Sequence, residues 1–181
     1  GNALVTMYCR CMSLADGWAV FAAMVGRDLV SWTAILTLCV QHGCCQHAFW
    51  LLDQMQAEGH FPDRVVFINM LDACVLESLL TEGKRIHLHI MSSALVLDVV
   101  LGTALVHMYG KCEDLEEAYC AFYDIPDRDV VTWTSLITAH TEKGKDNEAI
   151  CLFEMMVQEG IVPNEVTFVS GLDACANQID L

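Results

Sequence analysis
The sequence predicts an all-α chain built from helix-turn-helix repeats, and two observations carry that expectation. The first is self-similarity at a fixed offset. Residues 29–63 read LVSWTAILTLCVQHGCCQHAFWLLDQMQAEGHFPD, and residues 130–164 read VVTWTSLITAHTEKGKDNEAICLFEMMVQEGIVPN. Trp32, Thr33, Gly43, Ala48, Met55 and Pro62 recur as Trp133, Thr134, Gly144, Ala149, Met156 and Pro163. The same register relates Ala3-Leu4-Val5 to Ala104-Leu105-Val106, and Leu71-Asp72-Ala73-Cys74 to Leu172-Asp173-Ala174-Cys175. Self-similarity at such a period marks a stacked-repeat architecture.

The second observation is periodicity inside each repeat. Trp32, Ile35, Leu36 and Cys39 lie on one helical stripe, Gly43 interrupts it, and Ala48, Leu51, Leu52 and Met55 form a second stripe. Gly59 ends that second helix and Pro62 prevents its continuation. Helices this short are marginal alone, so packing on neighbours must stabilise them. Ala48 and Ala149 fall where two helices need close approach.

Taken in order, the chain divides into residues 1–28, truncated at the start, 29–63, 64–98, 99–129, 130–164, and 165–181 as the first helix of a further unit. In 64–98, Phe67 stands in the place of the tryptophan and Glu82-Gly83-Lys84 opens the second helix. No linker or low-complexity segment interrupts the array.

Composition bounds the remaining possibilities. The chain is 55% hydrophobic, which suits stacked helices that each bury two faces. Apolar runs are too short or too interrupted for a membrane span, so no membrane partner is expected. The ten cysteines are scattered and read as small buried hydrophobes rather than a disulfide scaffold; Cys9/Cys11 and Cys44-Cys45 lack metal-finger spacing and read as core or surface cysteines. The net charge of −15 argues against a protein that grips nucleic acid through a broad basic surface. It leaves room for local binding if acids such as Glu116, Glu117, Glu148 and Glu154 sit on the second helices. Residue 1 is Gly, and the chain reads as a fragment.

Units of 35, 35 and 31 residues with words such as Asn2-Ala3-Leu4-Val5, Trp32-Thr33, Ile86-His87 and Arg128-Asp129-Val130-Val131-Thr132-Trp133 resemble the pentatricopeptide repeat family in its plant PLS arrangement. The resemblance makes 29–63 and 130–164 P-type, 64–98 and 165–181 L-type, and 1–28 and 99–129 S-type. It implies a right-handed superhelical solenoid, an α–α superhelix. It further implies one-base-per-repeat binding of single-stranded organellar RNA, in a mitochondrion or chloroplast. The role would be to specify a site for C-to-U editing, alongside editing-complex proteins or a recruited deaminase. The base-reading pairs carried over are Asn2 with Asp28, Thr33 with Asp63, Ile68 with Asp98, Thr103 with Asp129, and Thr134 with Asn164. Val30, Val100 and Val131 would sandwich bases, and Arg10, Lys111 and Lys143 could meet phosphates.

The pairing has a chemical logic. A carboxylate only accepts hydrogen bonds and so suits the ring N–H of guanine or uracil, whereas the amide of Asn164 suits adenine. Family preferences then give uracil, guanine, any base, guanine, adenine, with Ile68 reading nothing. The alternative for each pair is that Thr and Asp simply cap helices. The alternative for the whole chain is a protein-binding helical scaffold of tetratricopeptide-like type, which its acidity favours.

No cofactor, metal site or enzyme activity is expected. His140-Thr141-Glu142 matches half of a zinc-deaminase signature, but no Pro-Cys-x-x-Cys follows it. Trp32 and Trp133 read as core side chains by their periodic place rather than as base-stacking platforms.

Overall fold
The computed structural model describes residues 13–93 and 95–179; Asn2 and Arg10 lie outside these. Among the described residues there are ten α-helices and no strands. The chain forms two compact units, residues 1–95 and 96–181.

The first unit contains α1 (Leu14–Ala22), α2 (Leu29–Gln41), α3 (Cys45–Ala57), α4 (Arg64–Glu77) and α5 (Leu80–Ser92). Helices α2 and α4 pack side by side, while α1, α3 and α5 lie against them as second helices. The second unit repeats the plan with α6 (Val99–Lys111), α7 (Leu115–Tyr123), α8 (Val130–Glu142), α9 (Asp146–Gln158) and α10 (Glu165–Ile179). There α6, α8 and α10 form the row of first helices, with α7 and α9 behind.

The expected stripes are the core. Trp32, Ile35, Leu36 and Cys39 of α2 and Ala48, Leu51, Leu52 and Met55 of α3 are all buried. Trp32 meets Phe21 edge-to-face at 4.9 Å, and Trp133 meets Phe122 at 4.7 Å. An arginine closes each cluster. Arg27 lies 4.7 Å over the Phe21 ring and pairs with Glu58 at 2.8 Å. Arg128 lies 5.0 Å over Phe122 and pairs with Glu159 at 3.5 Å. Cation–π contact and a carboxylate together suit a planar guanidinium at this position.

Each first helix begins directly after an Asp or Asn, because that side chain satisfies an otherwise orphaned N–H of the first turn. Each of α2, α4, α6 and α8 ends in a turn with a left-handed residue: Gly43 (φ 67°), Ser78 (φ 52°), Glu113 (φ 68°) and Gly144 (φ 65°). Gly59 and Gly160 do the same after α3 and α9. At Gly110 a Cβ would stand 2.6 Å from that of Ala139, so the missing side chain lets α6 and α8 approach closely.

The expectation of buried cysteines holds in part. Cys39, Cys45, Cys74 and Cys112 are buried, but Cys120, Cys151 and Cys175 are exposed and Cys44 is half-buried. Cys120 and Cys151 lie on the outer faces of second helices, where a small side chain meets no packing demand. Burial, helped by Glu77, pushes the Cys45 thiol up to about 11, so it stays neutral and unreactive near neutral pH. Among the described residues, no group of three or more His, Cys, Asp or Glu could hold a metal ion. No described helix is long and apolar enough to cross a membrane.

Candidate nucleic-acid interface
The residue that ends each repeat caps the next first helix. Oδ1 of Asp28 accepts from Ser31 N, of Asp63 from Val66 N, and of Asp98 from Leu101 N, each at 2.9 Å. Oδ1 of Asp129 accepts from Val131 N at 3.0 Å and from Thr132 N at 2.9 Å. Asn164 accepts through Oδ1 from the backbone N–H of Thr167 at 2.9 Å. Capping, set against base reading in the sequence, is therefore present in all five; whether the same side chains also read bases depends on their second polar atom.

That second atom differs by residue type. Because a backbone N–H can only donate, the atom of Asn164 facing it must be the oxygen, which fixes the amide against flipping. Its Nδ2, a pure donor, is not needed for the cap. In Asp63 and Asp129 the corresponding atom is Oδ2, a pure acceptor. The cap thus leaves Asn164 with a donor, and Asp63 and Asp129 with an acceptor, that the cap itself does not use.

Beside these atoms stand the threonines. Thr33 Oγ1 donates to Leu29 O at 2.8 Å, and Thr134 Oγ1 to Val130 O at 2.6 Å. Thr134 Oγ1 also shares a hydrogen bond of 2.7 Å with Thr167 Oγ1, and Thr103 Oγ1 shares one of 2.6 Å with Thr132 Oγ1. Ile68 occupies the same position on α4, half-buried and without hydrogen-bonding capacity.

Val30, Val100 and Val131, each the second residue of its helix, are about half exposed (55%, 51% and 53%). The structure adds two residues to this row. Val65 and Val166 hold the equivalent places on α4 and α10 and are 47% and 56% exposed. Counting from the start of each first helix would have found them. Half-exposed β-branched side chains at one fixed position form a series that core packing does not demand.

In the second unit these features converge on one groove of about 300 Å³ along α6, α8 and α10. It is lined by Val131 and Val166, by Thr134 and Asn164, and by Lys111 and Glu142 at its rim. Lys111 donates to both carboxylate oxygens of Glu142, at 2.6 and 2.7 Å. Lys143 pairs with Glu113 at 2.5 Å and does not line the groove. The acids Glu116, Glu148 and Glu154 are exposed on α7 and α9, with Glu117 half-buried. His140 is buried, with Nδ1 2.9 Å from Leu136 O and its ring edge-on to Tyr119.

Stacked helix pairs whose first helices present a repeating set of apolar and polar side chains define a helical-repeat protein. A family model described as "PPR repeat family" matches residues 128–177, and one described as "PPR repeat" matches residues 30–60 and 103–130. The chain belongs to the pentatricopeptide repeat family. A chloroplastic pentatricopeptide repeat-containing protein of Arabidopsis thaliana is 33% identical over 181 residues, 100% of this chain and 29% of that protein. A mitochondrial one from the same plant is 32% identical over 173 residues, 96% of this chain and 28% of the relative. The chain spans less than a third of the length of these relatives. The crystal structure of the pentatricopeptide repeat protein PPR10 in complex with an 18-nt psaJ RNA element superposes with a TM-score of 0.84 at 18% identity, covering 98% of this chain and 27% of that one. At that identity the likeness establishes the fold alone.

Proposed function
We propose that this chain binds single-stranded RNA, one base per repeat, with the base edge read by the capping Asp or Asn together with the threonine beside it. The observation that carries the reading is the groove between Val131 and Val166, floored by Thr134 and Asn164. Two half-exposed valines can hold a flat base by its faces. An amide whose oxygen is committed to the cap presents a donor to the edge. Adenine, with a ring acceptor there, is the matching base; Asp63 and Asp129 present an acceptor and match guanine. The register is uracil, guanine, any base, guanine, adenine across repeats 1–28 to 130–164, with the uracil resting on Asn2 and Asp28.

The assignment of repeats to the P, L and S types, the organellar location and a role in choosing sites for C-to-U editing extend this reading. The chloroplastic and mitochondrial relatives support the location. Acids on the second helices, away from the groove, reduce the conflict between net charge and RNA affinity.

The test is binding of the full chain to short RNAs at about 0.1 M salt, a regime in which phosphate contacts are still felt. One RNA carries the register above and another has both guanines changed to cytosine. Tighter binding of the first supports the reading. Equal binding of both removes the base code, and absent binding by a folded chain favours the protein-binding scaffold.

A further inference from the structure
The rim of the groove carries charge that base reading does not use. Lys111 is the last residue of α6, Glu142 the last of α8, and Gln41 the last of α2, so the three are equivalent in the repeat. Among the described residues, this position brings a cation and a carboxylate together only in the second unit, at the groove. The Lys111 ammonium touches both oxygens of Glu142, which is the arrangement the two non-bridging oxygens of a phosphodiester would adopt on the same cation. Both side chains remain substantially exposed, at 39% and 45%.

We infer that Glu142 acts as a built-in competitor for the phosphate beside the base held at Val131 and Val166, and so sets the affinity and salt dependence of this groove. The inference rests on the RNA reading above. An exposed ion pair contributes little to folding, so the pair opens readily. In the opened state, however, the displaced carboxylate stands next to the incoming phosphate, and like charges oppose. Glu142 therefore weakens the contact whether it holds Lys111 or releases it. Helices α6 and α8 are held by close packing at Gly110 and Ala139, so loss of the Glu142 charge leaves them together.

The experiment is a double-mutant cycle on the full chain with Glu142→Gln, Lys111→Gln and both, titrating the RNA of the predicted register across a salt series. Thermal melts confirm that every variant is folded. Glu142→Gln should bind about three- to tenfold tighter at ~0.1 M salt, and its log K against log salt should steepen by about 0.7, one added phosphate contact on a single strand. The gain should shrink in the Lys111→Gln background, where only the like-charge repulsion remains to be relieved. An equal gain in that background would reduce Glu142 to general repulsion and overturn the competitor role, as would an unchanged slope. If no folded variant binds RNA, the RNA reading itself falls and this inference with it.

Discussion
Repeats 29–63 and 130–164 share a skeleton and differ along the first-helix face and its caps. In both, a buried tryptophan meets a phenylalanine edge-on, an arginine covers the cluster, and a buried alanine lets two helices close. In both, a left-handed glycine turns the chain between helices. The groove side diverges. Asp63 becomes Asn164, Val66 becomes Thr167, and Gln41 becomes Glu142. Thr37 accepts from the Asn69 amide at 2.7 Å, whereas Thr138 meets the Ser170 hydroxyl at 2.9 Å. Change is not confined to that side: buried Leu38 and Cys39 become Ala139 and His140, while Val30, Thr33 and Thr37 are kept as Val131, Thr134 and Thr138. The core therefore repacks around a fixed tryptophan and alanine, and the first-helix face keeps its valine and threonines while its capping and terminal residues change.

The comparison can be broken at the core first. Trp32→Ala and Trp133→Ala should each destabilise by about 3–5 kcal/mol, since both indoles are fully buried. Chemical denaturation of the two variants checks this, and strongly unequal costs would show that the skeletons are not equivalent. Gly110→Ala should cost about 1–3 kcal/mol, because its new methyl meets the Ala139 methyl and α6 must move away from α8. Its effect should appear as a lowered melting temperature and weakened RNA binding at the adjoining groove. Thr37→Val removes the acceptor of Asn69 and should cost about 1 kcal/mol by the same denaturation measurement, the worth of one partly buried hydrogen bond. The smallest effect is a gain. Ser78→Gly relieves a left-handed serine and should stabilise by about 0.5–1 kcal/mol, seen as a higher melting temperature.

Much of this was legible in the sequence because burial and periodicity are local signals. The stripe Trp32, Ile35, Leu36 and Cys39 announces a buried helix face, and Gly43, Gly59 and Pro62 announce its turns. The left-handed Ser78 and Glu113 were less visible, since neither residue type advertises that conformation; only their place opposite Gly43 and Gly144 does. The exposure of Cys120 and Cys151 is not legible, because a cysteine at helical spacing looks apolar on either face. The groove was partly legible. Val65 and Val166 follow from register alone, and the threonines and caps follow from position. The pairing of Lys111 with Glu142 joins residues 31 apart, from two helices whose lateral alignment no local pattern encodes. The same holds for the hydroxyl contact between Thr134 and Thr167.

In the proposed reading a capping side chain, fixed by its helix, presents either a donor or an acceptor to a base. The most direct measurement is the affinity of the chain and of Asn164→Asp for two RNAs differing only in adenine or guanine at the last position of the register. Asn and Asp cap helices about equally well, so the variant should melt at nearly the same temperature. The unaltered chain should favour adenine and the variant guanine, each by about tenfold, a difference of ~1.4 kcal/mol. An unchanged preference in a folded variant that still binds would show that the capping side chain does not read the base.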